Sequence, residues 1–195
     1  MIICICGKSC SGKSTLSMKI ASIFDNSVYV DIDKIGHSVL NIKKVQNELI
    51  NNFGKEIIAN NIVNRKKLGS IVFNSKTEME KLTDITWKYM EKEIDKIIEE
   101  NQDKMIIMDY LLLPKTKYFK ISNLRILLDI PYHIRKERAL MRDKITSEEF
   151  DLREKNSMEY NINDFNYVLK NTDILNNNID IKIKNYIKSM MSSHI

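Results

Sequence analysis

The chain begins with an apolar run that leads directly into a glycine-containing loop. Residues 2–6 are all apolar, and Gly7 to Ser14 then follow the pattern G-x-x-x-x-G-K-S. From Thr15 onward, apolar side chains recur at helical spacing. A buried strand that passes through such a loop into a helix presents backbone N–H groups and a helix N-terminus to an anion. This order of elements therefore predicts a phosphate-binding loop backed by a strand of a parallel sheet.

The residues of this loop suit a nucleoside triphosphate. Gly7 and Gly12 allow the backbone to approach the phosphates without a Cβ atom in the way. Lys13 supplies a positive charge that can reach the β- and γ-phosphates, and Ser14 supplies a hydroxyl that can ligate the accompanying Mg²⁺. We therefore expect ATP as the nucleotide and Mg²⁺ as the cofactor.

The remainder of the chain predicts an α/β fold of the P-loop NTPase type, with three layers. Apolar runs of strand length lie at 28–33, 104–109, 124–129 and 166–169. Their lack of alternation is typical of parallel strands covered on both faces, so we expect a parallel sheet of about five strands. Helical spacing predicts an insertion over residues 41–102 and a closing helix over residues 179–191, and residues 132–163 form a highly charged segment.

Length and composition limit the possible classes of protein. A chain of 195 residues is long enough for one α/β core, so we predict a single domain over residues 1–195. No apolar run reaches membrane-spanning length and the first strand starts at once, so we expect a cytoplasmic protein without a membrane partner. The net charge of +5 is dispersed, which predicts no nucleic-acid partner. The sequence makes no prediction of the oligomeric state.

Carboxylates follow the strands that should neighbour the loop. Asp31 and Asp33 are two residues apart on what we expect to be an extended segment, so both carboxylates can point the same way. One of them, preferably Asp33, can accept a proton from an acceptor hydroxyl. The alternative is that one of them caps the following helix. Asp109 ends another strand at the same edge of the sheet, without a predicted role.

Arginines in the charged segment are candidates for stabilising a transferred phosphoryl group. Arg138 and Arg142 are four residues apart and share one helical face, and Arg153 follows further on. Guanidinium groups at these positions could stabilise charge on the equatorial oxygens, although an ordinary solvated helix has the same pattern. Arg65 lies at a turn between helical stretches, where its role could equally be a surface ion pair.

These segments, in this order, resemble the dephospho-CoA kinases, which use ATP to phosphorylate the ribose 3′-hydroxyl of dephospho-CoA. The likeness spans nearly the whole chain. It rests on Gly7–Thr15, on Asp31–Asp33, on the block from Asn64 to Phe73 and on Arg138–Asp143. The block from Asn64 to Phe73 is the most discriminating, because its spacing of Arg, Leu and Ile-Val-Phe is not general to P-loop proteins.

The resemblance implies a role for each matched position. It implies that residues 41–102 bind the acceptor, dephospho-CoA, and that residues 132–163 form a lid that carries the arginines. The implied catalytic residues are Lys13, Asp33, Arg138 and Arg142. The implied ATP-binding residues are Cys10, Ser11, Gly12, Lys13, Ser14, Thr15, Arg142 and Arg153. The implied acceptor-binding residues are Asp31, Asp33 and Arg65, and the implied metal ligand is Ser14.

The chain also departs from the family pattern, mainly on the acceptor side. Cys10 replaces a glycine at a loop position where φ can be positive. Thr86-Trp87 replaces a His-Pro pair, and Lys115 replaces a glutamate after the Asp109 strand. Two alternatives therefore remain open: a uridine-kinase-like or other small-molecule P-loop kinase, because the loop also resembles that type, and a non-catalytic nucleotide-binding protein.

Overall fold

A parallel sheet of five strands forms the middle layer of the computed structural model, which describes residues 1–155, 157–170 and 179–192. The strand order is β2-β5-β1-β6-β7, so the strand that enters the phosphate-binding loop is central. The five strands are β1 (Ile2–Gly7), β2 (Ser27–Asp31), β5 (Met105–Asp109), β6 (Leu124–Asp129) and β7 (Tyr167–Lys170). The predicted α/β fold with a five-stranded parallel sheet is confirmed.

Helices cover both faces of this sheet. Ile3 and Ile5 of β1 pack with α1 (Lys13–Ile23) and α9 (Ile179–Ser192) on one face. Cys4 and Cys6 point to the opposite face, where they share a core with α5 (Lys76–Glu100). Alternate side chains of a strand point to opposite faces, so a continuous apolar run serves two cores at once. The predicted closing helix over residues 179–191 corresponds to α9.

A helical segment connects β2 to β5. It contains α2 (Ile32–Val39), α3 (Lys43–Phe53), the short strands β3 (Ile58–Ala59) and β4 (Ile62–Val63), and α4 (Arg65–Val72), and it ends with α5. These elements share a core of their own that includes Val45, Leu49 and Ile85. The predicted insertion over residues 41–102 thus corresponds to helices, and its role in acceptor binding stays a prediction.

Two features of this segment differ from the sequence prediction. The strand predicted over residues 28–33 ends at Asp31, because the Asp31 side chain accepts a hydrogen bond from the N–H of Lys34 at 2.9 Å and starts α2. A hairpin of β3 and β4 was not predicted. Its turn is formed by Asn60 and Asn61, both with positive φ, which asparagine tolerates better than most residues.

The C-terminal part adds α6 (Lys117–Ile121), α7 (Tyr132–Asp143) and α8 (Ser147–Lys155). Helices α7 and α8 lie within the predicted lid, and residue 156 of that range is outside the described residues. Among the helices of the described chain, none combines the length and apolar character needed to cross a lipid bilayer.

Candidate active site

The phosphate-binding loop connects the central strand β1 to α1 through residues with positive φ. Gly7 has a φ of 153°, and a Cβ atom there would lie 2.9 Å from the carbonyl oxygen of Leu128. Gly12 has a φ of 99° and immediately precedes the first turn of α1. Both positions therefore require glycine, and the loop directs the N-terminus of α1 toward the carboxyl edge of the sheet.

Cys10 also has a left-handed backbone, with a φ of 60°. The expectation of positive φ at this position is confirmed, although a side chain here costs more than glycine would. The Cys10 side chain is buried against Ala139 of α7 and Phe150 of α8. Its Sγ lies 3.5 Å from Nη2 of Arg142. Contacts with the lid helices therefore compensate for the unfavourable backbone angle.

Lys13 lies at the start of α1, where its ammonium group donates a hydrogen bond to the carbonyl oxygen of Lys8 at 3.2 Å. Loss of hydration lowers the pKa of Lys13, and the negative charges of Asp33 and Asp109 oppose that shift. The ammonium group is thus held inside the loop between two carboxylates, where a phosphate would replace the carbonyl oxygen as its partner.

Asp109 lies directly behind the start of α1 and is only 1% exposed. Its Oδ2 accepts a hydrogen bond from the Tyr29 hydroxyl at 3.1 Å and lies 3.2 Å from the Ser17 hydroxyl. Burial raises the pKa of Asp109, and hydrogen bonds from Ser14 and Tyr29 oppose the shift. The sequence placed Asp109 at this edge without a role; its contact with Ser14 now makes it a member of the site.

Asp31 and Asp33 do not lie on one extended segment, because α2 begins at Ile32, so the prediction of an extended segment here is wrong. Asp31 caps α2 and forms an ion pair with Lys34 at 3.2 Å, as the capping alternative predicted. Asp33 lies in the first turn of α2. Its side chain is exposed, yet partial loss of hydration raises its pKa, and the Lys13 charge limits the rise. A carboxylate with a raised pKa is a better proton acceptor.

The arginines of α7 reach the phosphate-binding loop. Nη1 of Arg138 donates to the carbonyl oxygen of Ser11 at 3.3 Å, and Arg142 contacts the Cys10 thiol. Arg142 is also ion-paired with Asp143 at 2.6 Å. Arg153 of α8 lies 3.7 Å from the same carboxylate and sits over the ring of Phe73. Arg138 and Arg142 therefore contact the loop, whereas Arg153 contacts the carboxylate that is paired with Arg142.

Arg135 is a further arginine of α7 that the sequence analysis did not identify. It is 3% exposed, and its guanidinium donates two hydrogen bonds to Glu154 at 2.7 and 2.8 Å. Glu154 also accepts a hydrogen bond from Lys8 of the loop at 3.1 Å. This network joins α7, α8 and the loop. The sequence signal for Arg135 is the helical face that it shares with Arg138 and Arg142. Nothing in the sequence pairs Arg135 with Glu154.

A cleft of about 480 Å³ opens between α1 and α7 beside the loop. Its wall combines loop residues, apolar side chains and the two arginines Arg138 and Arg142, and its lining also includes Thr15, Leu16, Leu128 and Met141.

Arg65 does not line this cleft. It is exposed at the first position of α4, and within the described chain it makes no hydrogen bond or ion pair. The predicted acceptor role of Arg65 stays a prediction.

Comparisons with known proteins agree with this geometry. The sequence profile of a family described as dephospho-CoA kinase matches residues 1–182. The chain is 36% identical over 149 residues to a dephospho-CoA kinase from Fusobacterium nucleatum, covering 76% of each chain. It is 32% identical over 166 residues to a dephospho-CoA kinase from Aquifex aeolicus, covering 83% of each chain.

Solved structures show the same fold. The structure superposes on dephospho-CoA kinase from Campylobacter jejuni with a TM-score of 0.57 and 20% sequence identity, over 97% of this chain and 96% of that one. The profile and the relatives confirm the family that was predicted from the phosphate-binding loop, the block from Asn64 to Phe73 and the arginines of α7. The chain therefore belongs to the dephospho-CoA kinase family.

Proposed function

We propose that this protein transfers the γ-phosphoryl group of ATP to the ribose 3′-hydroxyl of dephospho-CoA, giving CoA and ADP. Membership of the family supports this function. The observation that carries it is the position of Asp33: a carboxylate of raised pKa lies within the electrostatic reach of the loop lysine Lys13. A proton acceptor is thereby held beside the group that binds the phosphate to be transferred. The matches favour neither a uridine-kinase-like enzyme nor a non-catalytic protein.

The nucleotide side of the reaction uses the loop and the adjoining cleft. Backbone N–H groups from Cys10 to Thr15 lie at the N-terminus of α1 and suit the phosphates of ATP. Lys13 is placed for the β- and γ-phosphates, and the cleft beside Leu16 and Leu128 is available for the rest of the nucleotide. Arg142 and Arg153 contribute to ATP binding from the lid side.

The residues around Ser14 fit a divalent cation, which we propose is Mg²⁺. The Ser14 side chain is exposed and is hydrogen-bonded to the buried carboxylate of Asp109. A hydroxyl and a carboxylate are the hard oxygen ligands that Mg²⁺ prefers. Ser14 would bind the ion directly and Asp109 would hold one of its waters. When bound, Mg²⁺ neutralises negative charge on the β- and γ-phosphates.

In the transfer step, Asp33 accepts the proton of the ribose 3′-hydroxyl. The hydroxyl oxygen then forms a bond to the γ-phosphorus, while the bond from that phosphorus to the β,γ-bridging oxygen breaks and ADP leaves with its electron pair. Lys13, Arg138 and Arg142 stabilise the charge on the equatorial oxygens. The acceptor is held by the segment over residues 41–102, with Arg65 and Asp31 as proposed contacts.

A coupled assay of ADP release tests this function. Purified protein is supplied with ATP, Mg²⁺ and one of four conditions: dephospho-CoA, uridine, pantothenate or no acceptor. We expect turnover with dephospho-CoA only, and a loss of at least about a hundredfold in Lys13→Ala and Asp33→Asn. Lys120→Ala and Asp25→Asn, two exposed positions outside the proposed acceptor-binding segment, are the matched controls and should retain activity.

The other outcomes are equally informative. Turnover with uridine would replace dephospho-CoA by a nucleoside acceptor and retain the kinase chemistry. Saturable ATP binding without transfer to any acceptor would establish a nucleotide-binding protein. Near-normal turnover in folded Lys13→Ala or Asp33→Asn would remove these residues from the mechanism.

A further inference from the structure

Two aromatic rings form a stacked pair at the end of β5. Trp87 of α5 and Tyr110, the residue that follows β5, have ring centroids 6.2 Å apart and planes inclined by only 8°. Tyr118 contacts Trp87 edge-on, with centroids 6.4 Å apart and planes inclined by 63°. Stacking of this kind orders the two rings. Both rings of the pair remain partly exposed.

This pair lies next to the proposed proton acceptor. The N–H of Tyr110 donates to the carbonyl oxygen of Ile5 at 3.3 Å, which fixes Tyr110 at the strand edge that carries the phosphate-binding loop. Helix α2, which carries Asp33, packs closely on α5: a Cβ atom on Gly36 would lie 3.2 Å from Cε of Met90. Met90 follows Trp87 by three residues and so lies on the same face of α5.

The electrostatics agree with this placement. Burial raises the pKa of the Tyr110 hydroxyl, and the negative charge of Asp33 raises it further. In the described part of the chain, neither the Tyr110 hydroxyl nor the Trp87 indole N–H makes a hydrogen bond. Partly buried tyrosine and tryptophan usually find such a partner. These two polar groups are therefore available to a ligand.

We propose that the Trp87–Tyr110 pair is the stacking platform for the purine base of the acceptor and so determines acceptor specificity. This inference rests on the proposed function. The hydroxyl that Asp33 deprotonates belongs to a ribose, and the base is attached to the same sugar, so one ribose ring separates the base from Asp33. Aromatic side chains recognise a nucleobase through its π-face. Trp87 and Tyr110 form a stacked aromatic pair, and the charge of Asp33 acts on the Tyr110 hydroxyl.

The chain contains a single tryptophan, so fluorescence reports on this platform directly. The nucleotide cleft is first saturated with Mg²⁺ and a non-hydrolysable ATP analogue, and then dephospho-CoA, AMP or 4′-phosphopantetheine is titrated. We expect dephospho-CoA and AMP to quench Trp87 emission, and 4′-phosphopantetheine, which lacks the base, to leave it unchanged. Quenching by 4′-phosphopantetheine alone, or by none of the three, would overturn the proposal.

Steady-state kinetics provide the second test. We expect Trp87→Leu and Tyr110→Leu to raise the KM for dephospho-CoA about tenfold or more while the KM for ATP stays constant. Trp87→Phe keeps an aromatic face and should recover most of the affinity. Tyr186→Leu is the matched control, since it removes a ring packed on Tyr167 with centroids 5.4 Å apart in the opposite layer.

The two proposals fail in different ways. An unchanged KM for dephospho-CoA in folded Trp87→Leu, or an equal rise in both KM values, would overturn the platform and leave the kinase function intact. Absence of dephospho-CoA turnover in the unaltered protein would overturn the function, whereas the fluorescence titration would still decide whether a purine stacks on Trp87. A thermal melt of each variant establishes that it is folded.

Discussion

The side chains of Lys13 and Asp33 shift each other's ionisation, but loss of hydration is the larger effect on both. The pKa of Lys13 is lowered although two carboxylates favour its charged form. The pKa of Asp33 is raised although Lys13 favours its ionised form. A carboxylate whose pKa is raised accepts a proton more readily, which suits Asp33 to general-base catalysis. Both shifts make the charged form of the group less favourable than in water, as is typical of catalytic sites.

This shift predicts an acidic limb in the pH dependence of the reaction. The kcat/KM for dephospho-CoA should fall as the pH decreases through a pKa above 3.8, the ordinary value for aspartate. Asp33→Asn should lower kcat by about 10²–10⁴-fold and remove this limb from the residual activity. A pH–rate profile of both proteins is the measurement. Persistence of the same limb in Asp33→Asn would assign it to another group.

The same shift has a consequence for stability. A carboxyl whose pKa is raised on folding contributes stability that is fully present below its unfolded pKa and is lost as the pH rises through the folded pKa. Asp33→Asn should therefore raise the Tm at pH 7, and its advantage should disappear in acid. Asp84→Asn serves as the exposed control. This result would also show that lost activity in Asp33→Asn is not lost folding.

At the scale of elements, the lid helices are joined to the phosphate-binding loop by a buried ion pair. The Arg135 side chain is 4% exposed and the Glu154 side chain 20% exposed, and the two groups form a bidentate pair. Arg135 also donates to the carbonyl oxygen of Ile130 at 2.9 Å, which anchors α7 to the end of β6. Because Lys8 contacts the same glutamate, the position of α8 is coupled to the loop.

Glu154→Gln should destabilise the fold by about 2 kcal/mol, because it leaves the buried Arg135 guanidinium without a full counter-charge. The corresponding fall in Tm is about 4–8 °C for a chain of this size. Arg135 lowers the pKa of Glu154 below its ordinary 4.5. The pair therefore stabilises above the unfolded pKa, and its contribution is lost as the pH falls through the folded pKa.

Thermal melts from pH 3 to pH 7 measure this difference. The control is Asp151→Asn, which breaks the exposed pair between Asp151 and Lys136 on the same two helices and should have a much smaller effect. An equal Tm for Glu154→Gln and the unaltered protein at pH 7 would show that this pair does not hold the lid helices.

At the scale of the whole molecule, the insertion and the sheet share a core. Met90 and Ile94 of α5 pack in the same cluster as Cys4, Cys6 and Met108 of the central strands. The second half of α5 thus belongs to the sheet layer, while its first half belongs to the core of the insertion through Ile85. One continuous helix therefore joins both parts.

We expect one cooperative unfolding transition. Trp87 fluorescence follows the contact of α5 with the sheet layer, far-UV circular dichroism follows all helices, and their urea or thermal midpoints should coincide. Two separated midpoints would show that the insertion unfolds independently of the sheet. Ile94→Ala, which opens a cavity where both parts meet, should lower both midpoints together by an amount equivalent to about 2–5 kcal/mol.

The local pattern of the sequence was sufficient for the sheet, the loop and the family. The apolar runs of β1, β5 and β6, the glycines of the loop and the helical spacing of α5 are short-range signals, because periodicity and backbone freedom depend on neighbouring residues. The strand predicted over residues 28–33 was too long, since a side-chain cap at Asp31 competes with strand extension and only its geometry decides the outcome.

What only the tertiary structure decided is which distant groups meet. The sequence by itself determined that Lys13, Asp33, Arg138 and Arg142 are candidates, because their motifs are local. The contacts of Asp109 with Ser14, of Arg135 with Glu154 and of Trp87 with Tyr110 join separate parts of the chain. Burial and charge then set the pKa of each group, and both depend on the packed surroundings rather than on residue type.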